Sequence, residues 1–211
     1  TAPLGRSVLG IGNAFLSAMP KGMRSNKELS IKKHKIVSSV DGESFRVWVI
    51  TPNKGNTMRP AILFLQGGGF VFKCAPYHYD LAKEYSRRTG SVVVMADYRT
   101  AHNNRYGTTL GDCLDTWHWL NDNAQMLGID TLRTAIVGDS AGGFLAIKTV
   151  LVSCIRPSKL MLVYAQPAQQ VLNWHRKYGH ILQIKLGVQN CILIDDHKLA
   201  HQLFVGQGAH S

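Results

Sequence analysis

The chain has 211 residues, of which 45% are hydrophobic and 18% charged, and its formal net charge is +11. That length and composition suit one domain with a substantial core and exclude an intrinsically disordered chain. The charge permits acidic partners. However, the only basic run, Lys21, Arg24, Lys27, Lys32, Lys33 and Lys35, has no interleaved aromatics and no nucleic-acid module, so it reads as a solvated face and no nucleic-acid partner is expected.

In chain order, Val8, Leu9, Ile11, Phe15, Ala18 and Met19 recur at helical spacing before Pro20. This amphipathic segment is expected to lie over the body of the domain or to cover a site, and residues 21–33 read as a polar, basic linker. His34–Ser38 and Ser44–Ile50 read as strands flanking an Asp41-Gly42 turn. Ala61–Leu65 is a continuous apolar strand, followed at once by Gln66-Gly67-Gly68-Gly69-Phe70. Three consecutive glycines destabilise helix and strand alike, so a loop is required there.

Tyr77–Arg88 reads as a helix stopped by Gly90, and Ser91–Ala96 as another buried strand leading into Asp97-Tyr98-Arg99. Leu110, Leu114, Trp117, Leu120, Ala124 and Leu127 mark an amphipathic helix, with Thr109 and Asp112 as a capping box and Gly128 as its stop. An ion pair between Asp97 and Arg99 is expected beneath the glycine loop. Arg133–Gly138 reads as a strand and Ala141–Cys154 as a helix, with Ser140 on the turn between them. Lys159–Tyr164 is a further strand. Beyond Ala165 the pattern blurs: Val171–Ile184 has no clean period, Cys191–Ile194 is a short strand candidate, and His197–Phe204 is compatible with a helix.

Buried strands alternating with helices after an initial hairpin indicate an α/β fold, a mostly parallel sheet with helices on both faces. The whole chain, 1–211, reads as a single domain: an N-terminal cap or linker segment over 1–33, a core over 34–164, and a divergent tail over 165–211. No apolar stretch reaches the length of a membrane span. Cys74, Cys113, Cys154 and Cys191 are isolated, the usage of a reducing compartment, and a cytoplasmic location is expected.

Gly138-Asp139-Ser140-Ala141-Gly142, between a strand and a helix, has the form of a nucleophile elbow. A sharp turn would lift the serine hydroxyl above the sheet edge, and the following helix would point free amides and its dipole at a developing anion. Asp139 is expected to accept local hydrogen bonds.

Q-G-G-G-F, then A-D-Y-R, then the amphipathic helix, then G-D-S-A-G-G, resembles the hormone-sensitive-lipase-like branch of the α/β-hydrolases, from about Val47 to Tyr164. The resemblance implies a serine carboxylesterase acting on small acyl esters, with no cofactor. Ser140 matches the nucleophile, and the amides of Gly68, Gly69 and Ala141 match the oxyanion hole. The family loop opens with histidine where this chain has Gln66, whose amide is expected to brace the loop.

A serine hydroxyl needs a histidine to take its proton and a carboxylate to orient that histidine; in this fold both follow the nucleophile. The candidates are Asp195 or Asp196, with Asp196 preferred, and His210, in a tail whose spacing departs from the family's. His175, His180, His197 and His201 are spare histidines. The last two are four apart, as a metal on a helix requires, but no third ligand is evident and no metal is expected. A second reading is a catalytically impaired hydrolase-like protein that keeps the oxyanion pocket to bind a small ligand.

Overall fold

The structure is a computed structural model that describes residues 2–19, 22–55, 58–101, 103–154, 181–186 and 189–194. Two compact units are present, Thr1–Thr149 and Val150–Ser211. The strand expected over Lys159–Tyr164, the helix over His197–Phe204, and the candidates Asp195, Asp196 and His210 lie outside the described residues.

The first unit opens with helix α1 (Ala2–Ala18), then strands β1 (Leu29–Val37), β2 (Ser44–Pro52) and β3 (Arg59–Leu65). Helix α2 (Pro76–Thr89) leads to β4 (Val92–Asp97), and α3 (Tyr106–Asp122) with the single turn α4 (Ala124–Leu127) leads to β5 (Ile129–Gly138). Helix α5 (Ala141–Cys154) follows two residues later. The five strands form one sheet in the order β1-β2-β4-β3-β5, antiparallel at β1–β2 and β2–β4 and parallel at β4–β3–β5. In the second unit, β6 (Ile181–Leu186) and β7 (Gln189–Ile194) pair antiparallel in a two-stranded sheet of their own. β7 contains the short strand expected over Cys191–Ile194.

Alternation along the strands divides the core into two layers. Ala61, Leu63 and Leu65 of β3, with Val92, Val94 and Ala96 of β4, face Cys113, Trp117 and Leu120 of α3 and Leu145 and Ala146 of α5. Ile62, Phe64, Val93 and Met95 face the other way, against Tyr79 and Ala82 of α2. Both faces of β3 and β4 are therefore buried, which is why these strands are uninterrupted apolar runs.

Several expectations need correction. β1 begins at Leu29, inside the stretch that reads as a linker, and pairs with β2 over its whole length. It is an edge strand with exposed Lys32, Lys33 and Lys35, and lysines on an edge repel further strand addition. A solvated edge strand has the composition of a linker.

The third helix begins at Tyr106, ahead of the expected capping box, and breaks at Asn123 before the separate turn α4. Thr109 and Asp112 do not cap it. The Thr109 hydroxyl donates to the Arg99 carbonyl at 2.7 Å, and Asp112 accepts from the Arg99 amide at 2.9 Å. Nor does Arg99 pair with Asp97. Its guanidinium holds the fully buried Asp112 with two bonds of 2.8 and 3.0 Å and reaches Asp41 at 2.8 Å, which ties the β1–β2 turn to α3. The β2–β4 register puts Arg46 directly opposite Asp97, and those two pair at 3.2 Å.

β5 starts at Ile129, but its register against β3 jumps between Arg59 and Ala61, and the intervening Leu132 is 94% exposed. The continuous ladder runs only from Thr134, close to the expected start. Finally, α1 is helical as expected, but its large apolar residues Val8, Ile11 and Phe15 are exposed. It packs through Gly12, against the Phe72 ring, and through the buried Asn13.

Candidate active site

Ser140 occupies the two-residue turn between β5 and α5, with an exposed side chain and a left-handed φ of 50°. A residue with a Cβ pays roughly 1–2 kcal/mol to sit there, so surrounding structure must impose the conformation. It does so by backbone interlock. A Cβ on Gly142 would come within 2.6 Å of the Gln66 carbonyl oxygen, and one on Gly138 within 2.7 Å of the Gly143 nitrogen. The two glycines of the elbow are thus required by close approach, of the turn to itself and to the glycine-rich loop after β3.

That loop carries its own strain. Gly68 has φ 125° and Gly69 φ 59°, and Phe70 continues in the left-handed region at 66°. A Cβ at Gly68 would lie 2.7 Å from the Phe72 carbonyl, so no other residue fits. Among the described residues, none of the Gly68, Gly69 or Ala141 amides donates to another protein group. The structure therefore brings Ser140, Ala141, Gly68 and Gly69 onto two adjoining turns at the ends of β5 and β3, which run side by side in register up to Leu65 opposite Gly138. Ala141 also begins α5, a helix whose N-terminal amides favour negative charge.

Asp139 joins the two turns. Its Oδ1 accepts the Gly67 amide at 2.8 Å, a partner far more distant in sequence than the local one expected. Its Oδ2 lies 3.5 Å from Nε2 of His78, on the first turn of α2. His78 is 2% exposed, and its Nδ1 accepts the Ala75 amide at 3.0 Å. Burial pushes the Asp139 carboxyl up, but the His78 imidazole and the Gly67 amide outweigh that and hold it below the ordinary aspartate value. Burial and the nearby Asp139 charge together raise the Tyr77 hydroxyl.

Gln66 does not brace the loop through its amide. Its side chain is fully buried, and neither amide atom has a partner among the described residues. The loop is held by its backbone instead: the buried Tyr98 hydroxyl donates to the Gln66 carbonyl at 2.6 Å. Farther along, Asn13 of α1 donates to the Val71 carbonyl and accepts the Lys73 amide, both at 2.8 Å. So α1 does lie against this loop.

Beside the two turns, three aromatic rings converge. Phe70 meets Tyr106 edge-on at 5.6 Å and Phe144, one helical turn beyond Ser140, at 5.8 Å. They form an apolar wall next to the serine. Asp196 and His210 lie outside the described residues. His78, Tyr77 and Asn13 went unnoticed in the sequence, where nothing marks a residue whose role depends on a partner more than fifty positions away. Among the described residues no group of three His, Cys, Asp or Glu side chains is arranged to hold a metal ion, and no helix is long and apolar enough to cross a membrane.

Comparison with known proteins bears directly on this arrangement. Residues 62–191 match the family model described as alpha/beta hydrolase fold. Ethyl acetate hydrolase of Pseudomonas putida is 38% identical over 112 residues, which cover 53% of this chain and 34% of that enzyme. Arylesterase of Saccharolobus solfataricus is 30% identical over 155 residues, 68% of this chain and 50% of that one. Human hormone-sensitive lipase is 27% identical over 128 residues, 61% of this chain and 11% of the lipase. The chain thus spans half or less of the length of these relatives.

Among solved structures, the thermostable carboxylesterase EstE1 from a metagenomic library superposes with a TM-score of 0.58 at 31% identity, over 72% of this chain and 50% of that one. A bacterial heroin esterase gives 0.58 at 27%, over 72% and 46%. The chain belongs to the α/β-hydrolase fold family, and the relatives it matches include esterases and hormone-sensitive lipase.

Proposed function

We propose that this chain carries the nucleophile half of a serine carboxylesterase acting on small acyl esters. The observation that carries the proposal is the placement of Ser140 in left-handed backbone at the start of α5, against a loop fastened to the neighbouring Asp139. Ser140 Oγ attacks the ester carbonyl carbon, and its proton passes to a base. The carbonyl oxygen becomes an oxyanion under the amides of Gly68, Gly69 and Ala141. Collapse expels the alcohol, which takes up the proton, and leaves an acyl-serine. Water attacks that acyl group by the same route and releases the carboxylic acid. His210 is the base in this reading and Asp196 its orienting carboxylate.

The relatives' names support ester substrates: ethyl acetate for one, aryl esters for another. The buried free thiol of Cys113 fits the reducing cytoplasm to which we assign the protein. Hydrolysis of p-nitrophenyl acetate by the wild-type chain and by Ser140→Ala tests the proposal. Activity that disappears with the hydroxyl supports it. Equal rates for the two proteins sink it, and leave the pocket as a ligand-binding site.

A further inference from the structure

Both ends of the glycine loop meet one carboxylate, one by a hydrogen bond and one by close approach. The Gly67 amide donates to Asp139 Oδ1 at 2.8 Å, and after the loop has turned back into α2, His78 Nε2 stands 3.5 Å from Oδ2 of the same residue. The loop that holds Gly68 and Gly69 thus leaves from and returns to Asp139, the residue covalently next to Ser140.

His78 is built for this contact. The Ala75 amide donates to Nδ1, which leaves the ring proton on Nε2, the atom that faces Asp139. The Tyr77 ring lies against the imidazole with centroids 3.9 Å apart. The imidazole is almost fully buried, and Nε2 makes no hydrogen bond among the described residues, with the Asp139 carboxylate facing it at 3.5 Å. A buried ring nitrogen without a better partner is costly, and the Asp139 carboxylate is the group it faces.

We propose that His78 is a positioning residue: acting through Asp139, it sets the spacing between the Gly68 and Gly69 amides and the Ser140 hydroxyl. Its catalytic consequence rests on the esterase reading above. The mechanical claim does not. Two arms therefore separate the two ideas.

The first arm is hydrogen exchange of individual backbone amides in the full chain, for wild type, His78→Ala and His78→Gln. Glutamine places an amide N–H about as far from the backbone as Nε2 and is the conservative replacement. Exchange at Gly67 is expected to rise about tenfold or more in His78→Ala, while Leu63 and Val94 in the sheet stay unchanged. In His78→Gln it is expected to return to within about threefold of wild type. A residue that merely filled space would leave the loop no more exposed than the sheet, and glutamine would not rescue it.

The second arm is ester hydrolysis, where kcat is expected to fall about tenfold in His78→Ala with KM nearly unchanged, because oxyanion geometry matters most in the transition state. If wild type is inert, the esterase reading is lost, and the exchange arm still decides the role of His78. Should His78→Ala fail to fold, Asp139→Asn takes its place. That substitution keeps an oxygen for Gly67 but turns an N–H₂ toward His78, and the same acceleration at Gly67 is expected. Wild-type exchange at Gly67 in the variant examined overturns the proposal.

Discussion

The amide of Gly67 donates to the carboxylate of Asp139 at 2.8 Å, across 72 positions of sequence, and so joins the loop after β3 to the turn after β5. The Gly67 amide belongs to a buried residue. Removing its acceptor leaves a buried donor unpaired, which costs about 1–3 kcal/mol. Asp139→Ala is therefore expected to lower the unfolding free energy by that amount, read as a lower urea midpoint at unchanged m-value. An unchanged midpoint would show that water replaces the carboxylate without penalty.

Acid should find the same residue. The folded-state carboxyl of Asp139 lies below its ordinary value, so the stability it contributes is present above the unfolded pKa, about 3.9, and is lost as pH falls through the lower folded value. The exposed Asp41 and the half-buried Glu84 and Asp130, held down chiefly by Arg99, Arg88 and Arg133, act in the same direction. Unfolding free energy is expected to decline below about pH 4 as these carboxylates protonate, and less steeply in Asp139→Asn. An identical acid slope in that variant would remove Asp139 from the explanation.

Strain at Ser140 has a measurable counterpart. Ser140 pays for its φ of 50°, and glycine would not. Ser140→Gly is expected to be more stable than Ser140→Ala by about 1 kcal/mol, although both lack the hydroxyl. Equal stability of the two would mean that the left-handed turn carries no strain.

The elbow glycine admits no such latitude. A Cβ on Gly142 would strike the Gln66 backbone carbonyl rather than a side chain able to swing away. Gly142→Ala is expected to lose about 1–3 kcal/mol or more by overpacking, and to abolish reaction at Ser140 by parting the two turns. Wild-type stability and reactivity in that variant would refute the interlock.

Much of this was legible in the sequence, for identifiable reasons. Ala61–Leu65 and Ser91–Ala96 announce themselves because strands covered on both faces are apolar throughout. The elbow and the glycine loop are legible because only glycine tolerates those close approaches and reaches left-handed backbone without a Cβ penalty. What eluded the sequence was pairing. Arg99 has Asp97 two residues away, yet bonds Asp112 and Asp41, because the register had already given Asp97 to Arg46. Gln66 looked like a brace, and the brace is the Tyr98 hydroxyl on its carbonyl. His78 carries no local mark, since its importance comes from Asp139, which only the fold brings near. β1 was misread at its start because an edge strand exposes its lysines as a linker does.

The central claim is that Ser140 is an activated nucleophile facing the Gly68, Gly69 and Ala141 amides. Incubation of the full chain with a fluorophosphonate, followed by peptide mapping by mass spectrometry, addresses it most directly. One phosphonyl group on Ser140, absent from Ser140→Ala and sharply reduced in Gly142→Ala, is the predicted result. An unmodified Ser140 under conditions that saturate a known serine esterase would contradict it.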